Sequence, residues 1–245
     1  MKKIFLESFG GGVGRIDGVR CPCEFTRDNG HYELLKEKLP STINCMIVAS
    51  DPANHEYLDE TAALLTEGFR MDGFNPGRLD VCDGRNAHEI IRYLNDYNVI
   101  FLTGGHVPTQ NRFFHEIGLK ERLIGYDGVI IGRSAGAMNC ARIVYAQPEA
   151  PGEAVDPAFA RYIDGLALTE ISILPHFDRL EPALDGLDII EDICLPDSMV
   201  RPFYTLTDRS FIYIENGRAT VYGESYLFAG GKCELVCRDG ESAII

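Results

Sequence analysis

The feature that most constrains the fold is an alternation of short apolar runs with amphipathic stretches over the first two-thirds of the chain. Ile43–Ala49 predicts a buried strand, and the apolar spacing of Glu56–Phe69 predicts a helix. Leu79–Cys82 predicts a second strand, Ala87–Leu94 a helix, Val99–Leu102 a third strand and Gly128–Ile131 a fourth. A parallel crossover normally requires a helix, so this order predicts an α/β fold. The expected form is a doubly wound, mostly parallel sheet flanked by helices. The last third reads differently. Phe211–Ile214, Ala219–Tyr222, Tyr226–Phe228 and Leu235–Cys237 are short runs divided by Asn216-Gly217 and Gly230-Gly231, which predict C-terminal antiparallel hairpins added to the sheet. Residues 8–31 are rich in glycine and lack periodicity, so they are expected to be loop. No linker divides the chain, and residues 1–245 are expected to form one domain.

Composition narrows the function. The 23 basic and 37 acidic side chains leave a formal charge of −14, which argues against nucleic-acid and anionic-membrane partners. The apolar run Ile4-Phe5-Leu6 ends at Glu7, too short for a secretory signal, and no stretch has the length of a membrane span. The expected location is cytoplasmic. Of the eight cysteines, Cys21-Pro-Cys23 and Cys233…Cys237 lack the usual zinc-ligand spacing, so free thiols and no metal are expected.

The strongest chemical signal is Gly132-Arg133-Ser134-Ala135-Gly136, a G-x-S-x-G pattern between an apolar strand and a helix-compatible segment. In that context the serine occupies a tight turn and is exposed as a nucleophile. The bland alternative is a serine that merely caps a helix in a glycine-rich turn. A second signal favours chemistry: Thr103-Gly104-Gly105-His106 follows another predicted parallel strand, at the sheet edge where open α/β folds bind ligands. Adjacent glycines let backbone N–H groups approach an oxyanion, so Gly105 and Ala135 are the expected donors of an oxyanion hole.

A serine nucleophile needs a base. His31, His55, His88 and His115 lie in polar contexts and are most simply solvated. His176, in Pro175-His176-Phe177, follows the predicted strand Ile171–Leu174 and so reaches the same sheet edge. His106 competes, but a base there would crowd the oxyanion donors. Glu149, Glu153, Asp156 and Asp178 remain as candidates for the acid that orients the histidine.

Leu102-Thr103-Gly104-Gly105, Gly132–Ala137 and Pro175-His176-Phe177 together resemble the serine peptidase family of dipeptidase E (aspartyl dipeptidase) and cyanophycinase. The resemblance implies a fold like that of class I glutamine amidotransferases, and hydrolysis of a small peptide through an acyl-enzyme with no cofactor. A homodimer is an admissible assembly. Aligned without a gap from Ser134, the family's acid falls on Glu149, whereas amidotransferases place an acid where Asp178 stands; Glu149 is the expected third member beside Ser134 and His176. The family's third glycine after Gly105 is replaced by His106, and its basic segment beyond the histidine has no clear counterpart. Arg133 and Arg179 are the available guanidinium groups, and a weaker preference for acidic substrates than in dipeptidase E is expected. Three other readings compete. An α/β-hydrolase esterase would leave more than 42 residues between serine and histidine. An amidotransferase-like shell could bind without catalysing. A glutamine amidotransferase proper would need a cysteine in place of Ser134.

Overall fold

A computed structural model describes residues 2–245. Its centre is an eight-stranded sheet of β1 (Lys3–Glu7), β2 (Ile43–Val48), β3 (Pro76–Cys82), β4 (Val99–Leu102), β5 (Val129–Arg133), β6 (Phe211–Glu215), β7 (Arg218–Tyr222) and β8 (Ser242–Ile244). The spatial order is β8-β7-β6-β1-β5-β4-β2-β3. Strands β1, β5, β4, β2 and β3 are parallel, and β6, β7 and β8 extend the sheet by antiparallel pairing.

Successive strand residues face opposite sides of a sheet, and here both sides are covered. Along β4, Ile100 and Leu102 join one buried cluster while Val99 and Phe101 join the other. In β5, Ile130 faces the first cluster and Val129 and Ile131 the second. This explains why the strands read as unbroken apolar runs. Helices α1 (His31–Lys38) and α2 (His55–Met71) contribute Leu35, Leu65 and Phe69 to one layer; α3 (Val107–Glu116) contributes Val107, Phe113 and Phe114 to the other. The predicted helix over 87–94 is instead an α-turn, Ala87–Ile90, followed by a 3₁₀ segment, Ile91–Asp96, kinked at Tyr93.

Two expectations are corrected. Residues 8–31 are not simply loop: Gly11–Ile16 and Val19–Phe25 form an antiparallel hairpin. Its turn is Asp17-Gly18, both residues with positive φ, the backbone that matches strand twist in two-residue hairpins. The hairpin lies directly on α2, where a side chain on Gly68 would put its Cβ 2.3 Å from the Gly12 carbonyl oxygen. The close backbone approach explains the glycine richness that hides the strand pattern. The last hairpin, Ser225–Ala229 with Lys232–Cys237, belongs to a separate four-stranded sheet with Ile173–Leu174 and Phe203–Thr205.

Among the described residues no helix is long and apolar enough to cross a membrane. All eight cysteines are free thiols, and burial pushes those of Cys82, Cys140 and Cys194 up to about 12.

Candidate active site

Ser134 follows β5 directly and precedes the short helix α4 (Ala135–Met138). Its backbone sits at φ 51°, ψ −118°, a region that strains any residue with a side chain. The turn is held by the Ser134 N–H, which donates to the Glu7 carbonyl at 2.8 Å, and by the N–H groups of Ala137 and Met138 on the Ser134 carbonyl. The flanking small residues are steric requirements. A Cβ on Gly136 would stand 2.3 Å from the Leu102 carbonyl oxygen, and one on Gly105 would stand 2.5 Å from Ser50 Oγ. Gly105 borders the cavities on both sides of Ser134, and Ala135 opens α4 beside it.

His176 Nε2 lies 2.9 Å from Ser134 Oγ, which donates to it. His176 is also held in a left-handed conformation, φ 57°, just past Ile173–Leu174. On the far side of the ring, Nδ1–H donates to Asp208 Oδ1 at 2.5 Å. Asp208 is buried and engaged on every side: Ser8 Oγ donates to Oδ1 at 2.9 Å, Arg179 Nε contacts Oδ2 at 2.9 Å, and the Asp208 N–H donates to Asp178 Oδ1 at 2.9 Å. The Ser8 hydroxyl also accepts the His176 backbone N–H at 2.8 Å. Burial alone would raise the Asp208 pKa; the hydrogen bond and charge of His176, with Ser8 and Arg179, outweigh it and hold the carboxyl below its ordinary range.

The carboxylate that meets the histidine ring is Asp208 and not the expected Glu149. Glu149 does not reach the histidine; its Oε1 takes the Val107 N–H at 3.4 Å, and its carboxyl faces the cavity beside Ser134. Glu153 binds His106 Nε2 at 2.7 Å and the N–H groups of Glu149 and Ala150, and Asp178 braces the Asp208 backbone. His106 is thus occupied by Glu153 and by Thr109 at 2.8 Å. Arg179 pairs with Asp208 rather than with its chain neighbours. Asp208 escapes sequence reasoning because Phe203–Thr205, the strand that leads to it, is too short to show a period. The available signal is the parallel pairing of that strand with Ile173–Leu174, Leu174 opposite Thr205, which carries His176 and Asp208 to one edge.

Beneath the elbow lies a second correction. His31 is fully buried, and its Nε2 donates to Glu7 Oε1 at 2.7 Å; Arg133 Nη2 donates to Glu7 Oε2 at 3.0 Å. Burial pushes the Glu7 pKa up, but His31 and Arg133 prevail and lower it. A depressed carboxylate pKa adds stability that is complete above its ordinary value near about 4.3 and is lost as pH falls through the lowered one. Glu7→Gln should cost about 3–5 kcal/mol at neutral pH, the usual result of leaving a buried ionic partner uncompensated. The variant's urea midpoint should also fall less than the wild type's between pH 5 and pH 2.

The site is therefore a strained serine after a parallel strand of an α/β fold, with a histidine and a buried aspartate in line behind it. The chain belongs to peptidase family S51, whose model matches residues 49–222. Its fold is similar to that of a peptidase from an acI-B1 Actinobacterium, at 13% identity and a TM-score of 0.60 over 100% of this chain and 97% of that one. It is also similar to a candidate peptidase E protein from Listeria monocytogenes EGD-e, at 18% identity and a TM-score of 0.59 over 90% of this chain and 98% of that one. A comparison with curated protein sequences finds no match.

Proposed function

We propose that the chain is a cytoplasmic serine peptidase acting on short peptides, with Ser134 as nucleophile, His176 as base and Asp208 as the orienting acid. The observation that carries this reading is the unbroken line Ser134 Oγ, His176 Nε2, His176 Nδ1, Asp208 Oδ1 at 2.9 and 2.5 Å. Ser134 Oγ attacks the scissile carbonyl carbon while its proton passes to His176 Nε2. The oxyanion is received by the N–H groups of Gly105 and Ala135. His176 then protonates the departing amine, leaving an ester on Ser134. A water molecule, deprotonated by His176, hydrolyses that ester and restores the serine. Asp208 keeps the Nδ1–H tautomer in place and balances the imidazolium.

The chain order serine, histidine, aspartate supports this reading over an α/β-hydrolase esterase, in which the acid precedes the histidine. The test is labelling with a fluorophosphonate probe followed by mapping of the modified peptide. The expected adduct is on Ser134; an unlabelled protein, or an adduct on another serine, would exclude the mechanism.

A further inference from the structure

Two cavities of opposite character meet at Ser134. The smaller, of about 240 Å³, is walled by Met138, Leu174, Leu180, Leu184 and Ile189, with Glu149 facing into it. Glu149 makes no ion pair among the described residues, and its one hydrogen bond, from Val107 N–H, is long at 3.4 Å. Enclosure by the protein around it raises its pKa, the mark of a carboxylate short of a positive partner. Glu181 also borders this cavity, while Arg179 stands at the mouth shared with the larger one.

The larger cleft, of about 720 Å³, runs under the hairpin Gly11–Phe25. Arg15, Arg20, Arg133 and Arg179 line it, and no acidic side chain does. Three of the four are ion-paired with carboxylates that do not line the cleft. Glu7 holds Arg133 by Nε and Nη2, Asp208 holds Arg179 by Nε, and Glu60 pairs with Arg20. Arg15 makes no ion pair among the described residues and only donates to the Gly18 carbonyl. In a chain of formal charge −14, the charged side chains that reach this cleft are guanidinium groups alone, and Arg15 is the one among them with no carboxylate partner among the described residues. Anchored guanidinium groups with N–H donors to spare suit a carboxylate.

In a peptide the ammonium lies on the acyl side of the scissile bond and the carboxylate on the leaving side, so the charge asymmetry fixes a direction. Resting on the serine-peptidase reading above, we propose that the substrate lies across Ser134 with an apolar N-terminal residue in the small cavity, its ammonium toward Glu149. Its C-terminal carboxylate, with any acidic side chain on that residue, lies in the arginine cleft. The acidic residue is thereby favoured on the leaving side and repelled by Glu149 and Glu181 on the acyl side.

Binding to the Ser134→Ala protein separates direction from catalysis. Calorimetric titration should show Leu-Asp binding about 10-fold or more tighter than Asp-Leu. Amidating the C-terminus of Leu-Leu should weaken binding by about 10- to 100-fold, the worth of a charge-assisted hydrogen bond, and acetylating its N-terminus should weaken it comparably. Arg15→Gln should reduce the advantage of Leu-Asp over Leu-Leu. Tighter binding of Asp-Leu, or indifference to both terminal modifications, would overturn the proposal. Fluorophosphonate labelling of wild-type Ser134 reports on the serine reading separately: labelling together with the wrong direction rejects only the orientation.

Discussion

Replacing Ser134 by alanine will lower kcat on the best peptide substrate by about 10⁵- to 10⁶-fold while leaving the unfolding midpoint nearly unchanged. Only a hydroxyl is lost, and the strained backbone at φ 51° is relieved of nothing but that group. Triad members act as a unit, so His176→Ala should fall by a similar factor, and the double variant should be no worse than either single one. Parallel measurement of kcat and of far-ultraviolet circular dichroism is the check. Turnover within tenfold of wild type would place the nucleophile elsewhere.

The second large effect concerns the acid. Asp208→Asn preserves shape but turns an acceptor of the Nδ1–H into an amide, which stabilises the wrong tautomer and leaves the imidazolium unbalanced. The expected loss is about 10⁴-fold in kcat, by analogy with the best-studied triad. Glu149→Gln should act differently, raising KM for peptides with a free N-terminus while kcat moves little, because Glu149 faces the cavity and not the ring. If the two variants exchanged these signatures, the aspartate would be structural and the glutamate its substitute.

The contrast between these two acids shows what a sequence of this kind reveals. The inner strands β2, β4 and β5 are legible because they are covered on both faces and therefore nearly unbroken in apolarity, whereas β1, at the chain start, is too short to be read as a strand. The elbow was legible because close packing of Gly136 on Leu102 leaves a compositional trace. His176 was legible as the residue beyond a strand end. Asp208 was not, since its place depends on pairing between a two-residue and a three-residue strand and on contacts from Ser8 and Arg179, far away in the chain. His31 looks solvated because its partner, Glu7, lies in strand β1, outside the helix that His31 opens, and is itself hidden. The hairpin 11–25 was masked by the glycines that allow it to lie on α2. Local rules thus pointed to Ser134 and His176, while groups brought in by long-range contact escaped them.

The Ser8 hydroxyl joins the His176 backbone to the Asp208 carboxylate, which is 200 residues away from it in the chain. A chain emerging from the ribosome therefore carries Ser134 and His176 well before it can align them. Residues 1–180, however well folded, would present a serine and an unoriented imidazole, and they would stay latent until Asp208 docked against Ser8. On the reading proposed above, turnover would begin only once the chain is nearly complete. For the same reason it offers a natural split point: two fragments cut between His176 and Asp208 should each be inert and should regain turnover only on reassociation.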